Sequence, residues 1–247
     1  MTVSVFQDGK RFITGNRCDR PITGKSNDDT LNLYAYKQQQ LSQLMKNPGT
    51  GTRGKIGIPM VLNMYELLPF WHAFFTNLGF QVIVSPFSNR KLYQAGQGSI
   101  PSDTVCFPAK LTHGHIMALL KKDVDAIFYP CMSYNVDEGL GDNHYNCPVV
   151  AYYPEVLAGN IRELEDTKFI YEYLNLEQRK DFVRLMPKIM QKYYPDLKTS
   201  DIHNAIEVAY TAYRKHMEDT RKEAERMMTE ARNEGKRIIV LAGRPYH

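Results

Sequence analysis

The strongest constraint on this chain lies between Lys55 and Pro130, where short apolar runs alternate with helical patterns. "KIGIPMVL" reads as a strand, and "MYELLPFWHAFFTNLG" as an amphipathic helix ended by Gly79. "FQVIVSP" is a second strand, and a short helix follows near Ser88 to Tyr93. "CFPAKLTHGHIMALLKK" is a further helix leading into a third strand, "DAIFYP", and "VVAYY" is expected to be a shorter fourth. Strands alternating with helices require crossover connections, which make a parallel sheet covered by helices. The expected fold is therefore α/β, Rossmann- or flavodoxin-like, with a mostly parallel sheet.

The flanks are of other kinds. Val3 to Gln7 and Arg11 to Thr14 surround Asp8-Gly9, a pair that tolerates a tight turn, so a β-hairpin is expected that delivers Cys18. Residues 21–30 are turn formers, "LYAYKQQQLSQLM" has helical spacing, and "KNPGTGTRGK" breaks it. Leu176 to Tyr194 and Ser200 to Glu234 predict two charged helices whose surface is supported by pairs four apart. The apolar run in "KRIIVLAGRPYH" predicts a strand that feeds a further element. The expected organisation is a hairpin and linker over 1–50, an α/β domain over 51–165, a helical region over 166–236, and the first strand of a following unit over 237–247. Both ends read as cuts through a longer protein.

Composition excludes some classes. No run of about 18 apolar residues is present to cross a bilayer. A net charge of +4 with dispersed basic residues lacks the footprint of a nucleic-acid binder. The expected setting is cytoplasmic, with neither membrane nor nucleic acid as partner. Four cysteines are too few for a disulfide scaffold, which leaves thiols, metal ligands or redox groups.

Two phosphate-loop patterns fail on chemistry. "GTGTRGKI" places Ile56 where a hydroxyl must hold magnesium, and "TGKS" has Asp19 where the first glycine belongs. No ATP site is expected from these residues. His113 and His115 lie two apart, so a helix points them to different faces, and Gly114 between them is a place for a bend. His72 beside Trp71 reads as a packed neighbour.

The cysteines sit at element boundaries beside proline. Cys106 precedes a helix that Ser102 or Asp103 is placed to cap, and Pro108 suits its first turn. A thiol at a helix start is biased toward thiolate, the form that binds metal. Cys131 ends the third strand, on the edge where open α/β sheets place ligands, and Cys147 opens the expected fourth. Free cysteine is also a common core residue, so buried thiols are an open alternative. A fourth strand parallel to the third would put Cys147 at the opposite edge, roughly 15–20 Å away.

"GNRC" (Gly15 to Cys18), "KIGIPMVLNMYELLPFWHAFFTNLGFQVIVS", "VCFPAKLTHGHI", "IFYPC", "HYNCPVVAYYPEV" and "IIVLAGRPYH" occur in order. Together they resemble the shared region of large activase-type proteins related to 2-hydroxyacyl-CoA (2-hydroxyglutaryl-CoA) dehydratases and their activators. The resemblance implies a [4Fe–4S] cluster serving low-potential electron transfer in anaerobic metabolism, driven by ATP hydrolysis elsewhere. Its implied ligands are Cys106, Cys131 and Cys147, with Cys18 a further candidate. The implied partners are ATPase modules and a dehydratase-like region of the parent polypeptide, with ATP bound there rather than here. Two other readings stand beside it: a dehydratase-like catalytic domain that binds an acyl-CoA, and a docking module with core cysteines. A homodimer is left open. The cluster reading requires the two ends of the Cys131–Cys147 loop to lie together with Cys106 beside them.

Overall fold

A computed structural model describes residues 2–14, 31–139 and 141–244. Cys18 lies outside them. Strands β1 (Thr2–Val5) and β2 (Arg11–Thr14) pair antiparallel about Gly9, whose φ of +76° is the turn conformation expected of Asp-Gly. Helix α1 (Leu33–Lys46) follows, its cap Asn32 accepting from the Ala35 N–H at 3.1 Å.

The central sheet holds β3 (Lys55–Ile58), β4 (Gln81–Val84), β5 (Ala126–Phe128) and β6 (Phe169–Ile170), all parallel, in the order β4-β3-β5-β6. This is the Rossmann- and flavodoxin-like arrangement expected from the alternation. The inner strands β3 and β5 are almost wholly buried, whereas edge strand β4 alternates, as covered and marginal positions of a parallel sheet should.

Helix α2 (Met64–Asn77) buries residues around nearly its whole circumference. A helix apolar on all sides must be covered on all sides. The sheet covers one side, with Trp71 and Phe128 ring centroids 4.5 Å apart. The other side meets α6 (Arg179–Tyr193) and α7 (Thr199–Asn233) through Phe70, which lies 5.8 Å from Phe182 and 5.0 Å from Tyr210. Helix α7 contributes Ile202, Ala205, Ile206 and Ala209, one helical stripe of its first half. The two tail helices are therefore present as the sequence predicts. Among the described residues no helix is long and apolar enough to cross a membrane.

The expected fourth strand is corrected. "VVAYY" is not a strand: it lies in helix α5 (Pro148–Asn160), whose buried residues Val150, Tyr153, Pro154 and Leu157 have helical spacing. The fourth strand is instead "FI" at Phe169–Ile170. At the other end, Ile239, Val240 and Leu241 are 82–91% exposed and belong to no strand among the described residues. Gly114 lies inside the continuous helix α4 (Phe107–Leu120). A side chain there would meet the Leu92 carbonyl oxygen at 2.0 Å, so the glycine lets α4 touch α3 (Arg90–Gly96).

Candidate functional site at the carboxyl edge of the sheet

In this strand order the chain leaves β3 toward β4 on one side and reaches β5 on the other. The crevice beyond the carboxyl ends of β3 and β5 is thus the topological switch point, where open α/β sheets hold ligands. Helices α4 and α5 both run from this edge back toward the next strand, so both begin at it.

Two cysteines start those helices. Cys106 is the cap residue of α4 at φ −62°, ψ 151°, and Cys147 is the cap residue of α5 at φ −64°, ψ 154°. Each is followed by proline in the first helical turn, whose fixed φ and missing N–H suit that place. Neither helix has a side-chain cap. Ser102 and Asp103 therefore do not cap α4: the Ser102 hydroxyl is engaged with Thr104, and the Asp103 carbonyl accepts from Lys110 Nζ at 2.8 Å. The orphan N–H groups and dipole of a helix start favour an anionic acceptor such as a thiolate.

Cys131 sits at the same edge, past the end of β5. Its N–H donates to the Glu172 carbonyl at 3.1 Å, and its carbonyl accepts from Leu174 at 2.9 Å, continuing the parallel ladder to Tyr173. The residue is fully buried. Burial, then the charges of Glu155 and Glu172, push its thiol up to about 12, while a hydrogen bond from the Glu155 backbone pulls the other way.

The loop between Cys131 and Cys147 folds back on itself. Asn146 N–H donates to the Ser133 carbonyl at 2.9 Å, Asn135 N–H to the His144 carbonyl at 2.8 Å, and Asn146 Nδ2 to the Met132 carbonyl at 2.9 Å. An antiparallel bridge joins Tyr134 to Tyr145. The two ends of the loop are thereby tied together, and the helical state of α5 removes the separation that a parallel fourth strand would impose.

Cys106 is exposed, Cys147 half-buried and Cys131 buried. Among the described residues no three of His, Cys, Asp and Glu gather as a group that would hold a single metal ion. By donor type the residues are those an iron–sulfur cluster uses, thiols: three stand at one sheet edge, and two of them open helices that lack caps.

Two histidines back this edge, each with partners of its own. His113 Nε2 lies 3.0 Å from the Tyr153 hydroxyl and its Nδ1 2.8 Å from Ser99 Oγ. Burial lowers His113 to about 4, so the ring is neutral. Tyr153 is raised to about 12 by burial and then by the charge of Cys106, which connects the exposed thiol electrostatically to this pair. His115 spans Ser85 Oγ at 2.7 Å and Ser88 Oγ at 2.9 Å, and Ser85 also accepts from the Met60 N–H. The expectation that the two rings face apart holds. His72 is buried against the Asn47 carbonyl at 2.7 Å, a packed neighbour as expected. The serine and tyrosine partners were not visible in sequence, since their contacts cross 14 to 40 positions.

The glycine-rich segment at 49–54 lies at the opposite edge, leading into β3 rather than into a helix. Its glycines serve close packing there.

Residues 55–247, most of the chain, match the model of the family described as CoA enzyme activase uncharacterised domain (DUF2229). The chain belongs to this family. The match begins at β3 and includes all three candidate cysteines of the activase domain. No curated protein and no solved structure matches the chain.

Proposed function

We propose that this activase domain is the iron–sulfur electron-transfer region of a protein related to 2-hydroxyacyl-CoA dehydratases, with Cys106, Cys131 and Cys147 as ligands of a [4Fe–4S] cluster. The observation that supports it is the placement of three thiols, far apart in sequence, at the carboxyl edge of one parallel sheet, two of them at helix starts. When bound, such a cluster supplies a low-potential one-electron step. The chain's own residues hold and tune the site. The uncapped starts of α4 and α5 favour negative charge at Cys106 and Cys147, and the paired loop ends fix Cys131 relative to Cys147. ATP hydrolysis and the dehydratase-like chemistry belong to other parts of the parent polypeptide, and Ile238–Leu241 would open a following α/β unit.

A specific observation favours a second reading for one residue. Cys131 is fully buried and its thiol is held protonated, the condition of a core thiol. Anaerobic incubation with iron and sulfide, followed by reduction and electron paramagnetic resonance, tests the proposal. The expected result is about four iron per chain and a reduced-cluster signal. Absence of iron, with the thiols titrating freely, would overturn it.

A further inference from the structure

The two outer strands of the central sheet are finished differently. Strand β4 is closed by the chain itself: its outward Val82 N–H donates to the Pro48 carbonyl at 2.8 Å, and Gln81 Nε2 donates to the Gly51 carbonyl at 3.2 Å. Strand β6 is the other outer strand. Its ladder with β5 continues past Ile170 through the Cys131–Tyr173 bridge, and Lys168, Ile170, Glu172 and Leu174 make its hydrogen bonds. In a parallel ladder the alternate residues aim their N–H and C=O the other way, so those of Tyr171 and Tyr173 face outward. Among the described residues these groups find no backbone partner. Sheet edges are ordinarily blunted by lysine, proline or a covering loop, because open ones pair with further strands. This edge carries tyrosines instead, Tyr171 37% and Tyr173 48% exposed.

The neighbouring side chains define the partner. Tyr152 of α5, 45% exposed, stands beside Tyr173 with ring centroids 6.1 Å apart and planes tilted by 55°, so the two rings form a wedge open to solvent. The Tyr173 hydroxyl donates to Glu155 Oε1 at 2.6 Å and holds the carboxylate at that wedge. Among the described residues Glu155 forms no ion pair, whereas Glu172, on the opposite face of the strand, is matched by Lys192 at 2.6 Å. Two aromatic faces and an unmatched carboxylate suit one cationic side chain, lysine or arginine. Antiparallel pairing of β6 with β6 of a second copy would instead set both Glu155 carboxylates on one face of the joint sheet, like charge against like.

We propose that β6 is a docking strand for an extended segment of another polypeptide, which adds a fifth strand to the four-stranded sheet and seats a lysine or arginine in the Tyr152–Tyr173–Glu155 wedge. Backbone hydrogen bonds to Tyr171 and Tyr173 supply the adhesion, and the cation fixes the register. Because Tyr173 pairs with Cys131, the docked strand lies one strand away from that thiol. The inference does not depend on a cluster.

The test uses the isotopically labelled 247-residue chain without added iron. Its probe is a short peptide of alternating threonine and valine with a central lysine, followed by fluorescence anisotropy and by amide chemical shifts of the chain. Glutamate replaces the lysine in one control, and two further peptides carry N-methyl groups along one strand edge or the other. The lysine peptide should bind and shift the Tyr171 and Tyr173 amide signals most, and the glutamate peptide should bind about tenfold more weakly. One methylated peptide should bind and the other should not, because a strand added at an edge uses only one of its own edges. Glu155→Gln should weaken the lysine peptide about threefold without weakening the glutamate peptide. Tyr171→Pro deletes an outward N–H at a place where an edge strand tolerates proline, and should lose the lysine peptide. Should that variant fail to fold, the methylated pair decides on the parent chain. No binding of the lysine peptide, equal binding of the lysine and glutamate peptides, or binding of both methylated peptides would each overturn the inference. A parent that sediments as a dimer and becomes monomeric in Tyr171→Pro would also overturn it, by assigning the edge to a second copy.

Discussion

The two ends of the parallel sheet are built on opposite plans. At the amino end, Lys55 N–H donates to Asp125 Oδ2 at 2.6 Å while Asp125 N–H donates to the Lys55 carbonyl at 3.0 Å. Gln81, Val82 and Arg53 donate to Gly54, Pro48 and Gly79 at 2.8–3.0 Å, and Arg53 pairs with Asp196. Gly51 lies so close to Gly79 that a Cβ would stand 2.0 Å from its carbonyl oxygen. The carboxyl end carries a helix-start asparagine with no partner, Leu62 at φ +45°, buried histidines and three thiols. One edge is specified for stability, and the other departs from the rules of stability where chemistry is placed.

The largest expected effect breaks the amino end. Gly51→Val forces a side chain into backbone, and should cost about 3 kcal/mol or more in urea unfolding. A tolerated valine would show that this edge is not tightly built. Next is pH. His113 is lowered from 6.5 to about 4 by burial, so the unfolded chain binds the extra proton as pH falls below 6.5. The native state should lose stability from pH 6.5 down to 4, by up to roughly 3 kcal/mol, and none should be lost from this group above pH 6.5. His72 and His216, also lowered first by burial, act with the same sign. His113→Gln should flatten the acid limb of the stability profile.

Smaller effects separate the thiols. Cys131→Ser places a hydroxyl in a fully buried position and should cost about 1–2 kcal/mol, whereas Cys106→Ser at an exposed one should leave the melting temperature unchanged. Among Cys106, Cys131 and Cys147, alkylation of the native, iron-free chain followed by mass spectrometry should label Cys106 first and Cys131 last. The smallest effect is expected far from either edge. Arg226→Ala removes exposed pairs with Glu223 and Glu230 on α7, and should not shift thermal unfolding beyond measurement error.

The alternation of β3, α2, β4, α4 and β5 was legible in sequence because β3, β4 and β5 are apolar runs closed by proline, α2 is closed by glycine, and α4 opens on proline. Helix α5 was misread because Val149 to Tyr153 is a short apolar run, which periodicity alone cannot divide between strand and helix. Cys147-Pro148 was the available signal, since proline after a boundary residue suits a helix start. Strand β6 has only two residues and is defined by its neighbour β5 rather than by its own pattern. The boundary positions of the cysteines were readable, but their shared edge was not, because it follows from strand order and the folded loop. Asn63 gave no signal at all: it looks like an ordinary cap, and only its helical backbone shows that it caps nothing.

The central claim is that Cys106, Cys131 and Cys147 act as one site at the carboxyl edge. Iron and acid-labile sulfide bound per chain, measured anaerobically for the parent and for each single cysteine-to-serine variant, tests it most directly. All three variants should lose most of the iron held by the parent, although only Cys131→Ser lowers stability. Full iron retention in any one of them, or none in the parent, would contradict the claim.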